Sequence, residues 1–355
     1  MNVAPCTIVF PEHTRWVDYW EGLPSDKELL VTIAYLEQAL GVPIAGSPAT
    51  VGWKLLEKMH PDWIKNFPKV RLENAHFTSE AASDLQATLG KVEVGQYIHK
   101  VDRNSAYLSS ASTEFYGVGD PVIDPDGSKY VEGSVKDGHR PGVWNCRITP
   151  VNIVLPKWEQ RETCWLSHPL IRLMRKVGYE IEILSGWYFP ECHQTMSKWA
   201  NFLWETRMSF QTDTKKWRRD VPRELARRAI KLIGVATVGV TAFTGFEDNE
   251  ESSKRRPDIR LQTVARTYEL VYHNIMKFHE TIGLMPIMVY TDALYYATES
   301  HYRSPLDPLL SRADKLGGYK YEGYVEVTPE IAEVINSDVR VSNKLEVLNI
   351  VGWRK

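Results

Sequence analysis

The sequence predicts an α+β fold in which a small antiparallel or mixed sheet is backed by helices. Three stretches carry the prediction. Residues 287–297 form an apolar run rich in β-formers that holds a single acid, Asp292, just after the Gly283 and Pro286 breaks closing a long helical pattern. Residues 97–108 repeat the theme: an apolar strand ends on Asp102, followed by a polar turn and a helix start. Between them, residues 143–156 read as one or two strands, 168–176 as a short helix, and 179–189 alternate as a strand. That strand–helix–strand unit is expected beside the Asp102 strand.

Composition narrows the function classes. The chain has 355 residues, 43% hydrophobic and 25% charged, as in an ordinary water-soluble globular protein with room for two or three subdomains. A net charge of −2 gives no global basic field, so a nucleic-acid groove must come from local clustering. The 12 Trp and 17 Tyr fit either stacking surfaces or a well-packed interior. Cys6, Cys146, Cys164 and Cys192 form no CxxC pair, which predicts buried free thiols in a reducing compartment. With no signal peptide, membrane-length apolar run or lipidation motif, the expected location is the cytoplasm and no membrane partner is expected.

Taken in order, residues 26–40 carry Leu29, Leu30, Ile33, Leu36 and Leu40 at helical spacing, stopped by Gly41 and Pro43. Gly46-Ser-Pro-Ala reads as a capped entry into a helix over 52–58, with Trp53, Leu56 and Met59 on its buried face. Residues 91–101 alternate loosely and deliver the chain to Asp102. The turn-rich stretch 117–142 reads as a mobile surface loop or hairpin. Its Asp120, Asp124 and Asp126 lack EF-hand spacing.

From 195 to 242 apolar residues recur at helical spacing beside a basic cluster of Arg207, Lys215, Lys216, Arg218, Arg219, Arg223, Arg227, Arg228 and Lys231. Arg223, Arg227 and Lys231 fall on one helix stripe, either a solvated basic face or a binding surface for a polyphosphate. Residues 247–258 read as a solvated charged loop, and 259–282 as a long amphipathic helix leading into the Asp292 hairpin. A tight turn there would put Asp292 at the tip, its carboxylate away from the core. One such acid alone reads first as a turn residue. Two strand-end acids far apart in sequence match what two-metal phosphoryl transfer requires, because Mg²⁺ takes hard oxygen ligands on rigid elements.

Together these stretches resemble the family B DNA polymerases, most closely the protein-primed branch of phages and mobile elements. Asp102-Arg-Asn-Ser-Ala-Tyr107-Leu resembles that family's motif A, D-x-N-S-L-Y-P. Lys231-Leu-Ile-Gly-Val-Ala-Thr-Val-Gly239 resembles motif B, K-x-x-x-N-S-x-Y-G, in register at Lys231 and Gly239. Tyr290-Thr-Asp292-Ala-Leu-Tyr resembles motif C, D-T-D-S-x-x. Supporting matches are Lys176-Val-Gly-Tyr-Glu-Ile, Gly186-Trp-Tyr-Phe, Thr263-Val-Ala-Arg266 and Lys315-Leu-Gly-Gly-Tyr-Lys320.

The resemblance implies a palm of antiparallel sheet backed by helices, helical fingers, and a reduced or absent thumb. It divides the chain into an N-terminal region at 1–95 without an exonuclease signature, palm at 96–194, fingers at 195–245, palm again at 246–324, and a short C-terminal remnant at 325–355. It further implies two Mg²⁺, replaceable by Mn²⁺, on Asp102, Asp292 and the backbone carbonyl of Arg103. Asn104, Ser105, Ala106, Tyr107, Arg219, Arg223, Arg227 and Lys231 would hold a dNTP, with Tyr107 against the sugar. Gly239, Thr291 and Lys320 would touch template or primer. The implied activity is DNA-directed DNA synthesis without proofreading, on primer–template or single-stranded DNA, with a terminal protein or other replication protein as partner. The departures are Tyr290 for the first Asp of motif C, Val235-Ala236 and Val238 in motif B, and Leu108 in motif A. They keep two alternatives in play: a nucleotidyltransferase making limited or untemplated additions, and a non-catalytic DNA-binding subunit.

Overall fold

The computed structural model describes residues 25–66, 86–133, 135, 138–150, 163–211, 220–241 and 256–354. Arg219, Lys215, Lys216, Arg218, Cys6 and the charged stretch 247–255 lie outside the described residues.

The N-terminal part forms α1 (Asp26–Leu40), α2 (Pro48–Met59) and α3 (Pro61–Lys65). A capping box starts α1, Ser25 Oγ accepting from Glu28 N–H and the Glu28 carboxylate accepting from Ser25 N–H at 2.9 Å. Gly41, at φ 64, ends it. Ser47 caps α2, one turn earlier than the expected helix, and Trp53 and Leu56 are buried as expected. There follow β1 (Gln86–Thr88), β2 (Tyr97–Arg103), α4 (Ala106–Ala111), β3 (Tyr116–Val118), β4 (Val122–Asp124), β5 (Gly142–Pro150) and β6 (Thr163–Ser167). Then come α5 (His168–Lys176), β7 (Tyr179–Tyr188), β8 (Glu191–His193), α6 (Thr195–Ser209), α7 (Val221–Val240) and α8 (Pro257–Ile282). The last part holds β9 (Met288–Tyr290), β10 (Ala293–Thr298), α9 (Asp307–Leu310), β11 (Tyr319–Glu326), α10 (Pro329–Asn336) and α11 (Val341–Val351).

A five-stranded antiparallel sheet in the order β1-β9-β10-β2-β11 carries both acids. The strand–helix–strand unit 143–189 does not join it, contrary to expectation. It belongs to a separate four-stranded antiparallel sheet, β4-β7-β5-β6. Both edges of β2 are already taken, by β10 on one side and β11 on the other, so no strand from 143–189 can pair there. Nor is 117–142 a loop throughout: β3 pairs with β8, and β4 pairs with β7.

Strand alternation gives the five-stranded sheet two faces. Val101, Val289, Leu294 and Tyr296 pack at the back with Val271 and Ile275 of α8. Ile98, Ala293, Tyr295 and Val325 pack at the front with Ile331, Ile335, Leu345 and Leu348 of α10 and α11. Residues 325–354 of that stretch therefore fold into the end of β11 and two helices. Helix α8 also meets the four-stranded sheet's core through Leu261, Val264 and Tyr268, so it spaces the two sheets. A helical core of α1, α2, α6 and α7 completes the molecule. In α1 the stripe Thr32, Leu36 and Leu40 is buried there, and Leu30, expected on that face, turns the other way and is 54% exposed.

Buried charge fixes α8 in place. Glu269 accepts from Arg172 Nε and Nη2 of α5, each at 2.8 Å, and from Arg266 Nη1 at 2.6 Å. Burial opposes its ionisation, yet Arg172 and then Arg266 hold its pKa down at about 2. At the start of α8, Arg256 and Asp258, expected in a solvated loop, are buried together, with Arg256 Nε and Nη2 each 2.8 Å from the Asp258 carboxylate. Among the described residues no helix is long and apolar enough to cross a membrane.

Removing one partner of a buried ion cluster leaves the others uncompensated, at about 3–5 kcal/mol. Glu269→Gln is accordingly expected to lower the unfolding free energy by about that amount in urea titrations. A loss of less than about 1 kcal/mol would show that the cluster does not brace α5 against α8.

Candidate active site

Asp102 is the penultimate residue of β2, and Asp292 stands in the two-residue turn between β9 and β10. Ala293 lies directly opposite Asp102, which brings the turn and its acid to the end of β2. Alternation places Asp102 on the front face, with Lys100 and Ile98. Helices α10 and α11 cover the Ile98 end of that face.

The backbone is bent at both acids. Among the described residues, the only non-glycine positions with positive φ are Ser105, at 48°, and Thr291, at 53°. Left-handed backbone at such residues costs about 1–3 kcal/mol each and collects at functional sites. Each lies within three positions of an acid. Thr291 Oγ1 donates to Tyr290 O at 2.8 Å and to Asp292 Oδ1 at 3.1 Å, which fixes the turn.

The acids open into a cavity of about 650 Å³ whose far wall is α6 and α7. Ser105, Ala106 and Tyr107 form one side; Arg207, Arg227, Arg228 and Lys231 face it with a dense positive charge; Thr291 and Lys320 border the acids. Burial raises the pKa of Asp292 to about 6, and the neighbouring Asp102 charge adds to the effect, against the Thr291 hydrogen bond and the Lys231 charge. Lys320 Nζ lies 3.1 Å from Asp102 Oδ2 and also pairs with Glu322. Burial lowers Lys231, with Asp102 opposing and the Lys320 and Arg207 charges adding. Burial, then the charge of Arg227, brings Arg207 down to about 10. The acids and cations thus sense one another across one chamber.

Not every expected residue is there. Asn104 is buried outside the cavity lining, its Nδ2 donating to the carbonyl of Ala313, so it anchors the loop before β11. Arg223 also lies outside the lining. Its guanidinium donates to Ser209 O at 2.7 Å and sits 5.9 Å from the Phe210 ring centroid, joining the start of α7 to the end of α6. Gly239 stands in the last turns of α7 with nothing within 4 Å of where a Cβ would be. Arg103 borders the cavity, but its side chain points behind the strand, with Nε on Gly317 O at 3.0 Å and Nη2 on Ser109 Oγ at 2.9 Å. Among the described residues no group of three or more His, Cys, Asp and Glu side chains converges.

Arg207 was part of the basic cluster in the sequence but carried no site assignment. The structure buries it, with Nη1 donating to Ser105 Oγ at 2.6 Å. Its position in the last turn of a helix entering the basic cluster is the only sequence signal that pointed to it. Leu232 and Val235 line the cavity from α7 just after Lys231, and Val235 is 40% exposed.

No family model matches the sequence, and no curated protein matches it. The fold does match solved structures. Against phi29 DNA polymerase with primer-template DNA and incoming nucleotide, the TM-score is 0.54 at 14% identity over 82% of this chain. The primer-template binary complex of the same polymerase gives 0.55 at 14% identity over 84%, and its complex with single-stranded DNA 0.53 at 15% over 84%. In each case the chain spans 55% of the phi29 protein. The chain thus has a fold similar to that of phi29 DNA polymerase: antiparallel sheets backed by helices.

In metal-free buffer the Asp292 side-chain carbon should titrate by NMR with a midpoint near 6. Asp102→Asn is expected to lower that midpoint while leaving the part due to burial. A midpoint indifferent to Asp102 would separate the two acids.

Proposed function

We propose that this chain is a DNA-directed DNA polymerase that transfers dNMP to a primer 3′-hydroxyl or a protein hydroxyl. The observation that carries the reading is the pairing of two like-charged carboxylates with a basic wall across one cavity, on a fold similar to phi29 DNA polymerase. The polymerases it resembles were solved with primer-template DNA, single-stranded DNA and incoming nucleotide, which supports dNTPs and DNA as partners. A terminal protein or other replication protein is the partner that priming from a protein hydroxyl requires.

The donor set fits magnesium. Asp102 and Asp292 offer hard oxygens on the end of a strand and in a tight turn, beside the carbonyl of Arg103. Burial first, and then the Asp102 charge, raise Asp292, and a dication held by the two carboxylates would offset both. Two Mg²⁺ there, or Mn²⁺ in their place, would supply the Lewis acidity and nucleophile activation of in-line phosphoryl transfer. The rest falls to the chain's own residues. Lys231, Arg227 and Arg207 neutralise the triphosphate from α6 and α7. Ser105 and Ala106 line its seat, and Tyr107 lies against the sugar. Thr291 holds the Asp292 turn rigid beside the primer end. Lys320 balances Asp102 until substrate arrives.

A second reading, limited or untemplated addition, is favoured by one observation. Leu232 and Val235 give the α7 wall apolar groups where a base pair would be read, and these offer no hydrogen bond with which to check complementarity.

Asp102→Asn and Asp292→Asn are each expected to abolish incorporation by several orders of magnitude, with little change in melting temperature in metal-free buffer. Near-normal incorporation by either variant rules out the two-metal assignment. Tyr107→Ala is expected to raise ribonucleotide use relative to dNTP use, because a ring against the sugar leaves no room for the extra oxygen. An unchanged ratio in competition assays removes Tyr107 from the sugar site.

A further inference from the structure

The front face of the sheet continues past the acids, away from the cavity. Lys100 and Asp102 are same-face neighbours on β2, about 6.6–7 Å apart along the strand. Lys100 lies opposite Tyr295 of β10 and Gly323 of β11. Gly323 sits at φ 141, and a Cβ there would stand 2.5 Å from the carbonyl oxygen of Arg354 and 3.1 Å from Trp353 Cβ. The bare glycine lets residues 352–354 lie across the sheet. They are held by a matched pair of backbone bonds, Tyr324 N–H to Arg354 O at 2.8 Å and Arg354 N–H to Tyr324 O at 2.9 Å.

This crossing sets an indole beside Lys100, the same-face neighbour of Asp102. The Trp353 ring centroid lies 5.9 Å from that of Tyr295, and the Lys100 ammonium lies 5.8 Å from the Trp353 ring centroid. Trp353 Nε1 donates to Asn349 Oδ1 at 3.0 Å, which fixes the ring to α11. Lys100 and Trp353 are both half-buried, so each keeps a solvent-facing part. Glu322 links this platform to the cavity. Burial opposes its ionisation, but its bond from Lys320 and the charges of Lys320, Lys100 and Lys231 hold its pKa down.

The two sides of the acids therefore differ. The cavity side carries arginines and lysine on helices, suited to a polyphosphate; the Lys100 side carries Lys100 and the Trp353 ring, with Tyr295 and the Glu322 carboxylate beside them, outside the cavity lining. In-line transfer places the attacking hydroxyl opposite the leaving pyrophosphate. If the triphosphate lies against α6 and α7, the strand bearing that hydroxyl approaches over Lys100 and Trp353. We propose that Lys100 and Trp353 seat the primer strand just behind its 3′ end, Lys100 on a backbone phosphate and the indole packed on a sugar or base. This rests on the polymerase reading above and assigns it two positioning residues.

The test is direct binding of a fluorescent primer–template to the full chain across a salt series, without nucleotide, followed by steady-state extension. Lys100→Gln is expected to lower the salt slope by about one, as for one lost phosphate contact. It should weaken primer–template binding several-fold, while Lys100→Arg restores it. Trp353→Leu is expected to weaken binding about ten-fold, the scale of one lost stacking contact. In extension both variants should raise the KM for primer and leave the KM for dNTP unchanged. Wild-type binding and slope in a folded Lys100→Gln protein, or a shift in the dNTP KM instead, overturns the proposal alone. A wild-type chain that binds no primer–template at any salt overturns the polymerase reading, and this proposal with it.

Discussion

The candidate site depends on one register, Ala293 of β10 opposite Asp102 of β2. A slip of one residue would turn Asp102 to the back of the sheet, among the apolar side chains under α8. The register is enforced away from the acids. Leu294 pairs with Val101 on the back face, and Tyr295 and Ala297 alternate with them toward the front. Each fully buried aliphatic or aromatic side chain contributes about 1.5–3 kcal/mol. Raising Asp292 from 3.8 to about 6 costs about 3 kcal/mol at neutral pH. One or two buried neighbours offset it, and Lys320 on Asp102 and the Lys231 charge further ease holding two carboxylates together.

The same constraint explains the electrostatics. A chain of net charge −2 has no long-range field to attract an anion. The attraction is local. Helices α6 and α7 turn Arg207, Arg227 and Lys231 toward the acids, and β11 adds Lys320 directly across from Asp102. Burial lowers Arg207 and Lys231 because little water reaches them, and neighbouring cations add to it while Asp102 opposes. A polyphosphate entering the cavity would relieve that strain as dications would relieve the acids, which makes the two halves of the site complementary to one substrate class.

Much of this was legible in the sequence, because it depends on local signals. The Gly41 stop marked the observed end of α1, the short helix expected at 168–176 has those bounds, and isolated acids in β-forming runs marked both strand ends. What escaped depends on contacts far apart in sequence. The strands of 143–189 form their own sheet because β11, more than two hundred positions after β2, takes the edge they would need. Asn104 sits inside a motif yet serves the loop at Ala313. Arg223 shares a helical stripe with Lys231, but capture by the Ser209 carbonyl draws its side chain out of the cavity. Lys100 and Trp353, distant in sequence, meet because Gly323 has no side chain between them.

The central claim is template-directed nucleotidyl transfer at Asp102 and Asp292. The most direct measurement incubates the full wild-type chain with Mg²⁺, labelled dNTPs and a primer, with and without template, following product length and pyrophosphate together. Extension by the complementary nucleotide is expected, with one pyrophosphate per addition and far less product without template. Equal addition with and without template would replace templated synthesis by terminal transfer. No incorporation and no pyrophosphate under any of these conditions, with Mn²⁺ as well as Mg²⁺, would contradict the account.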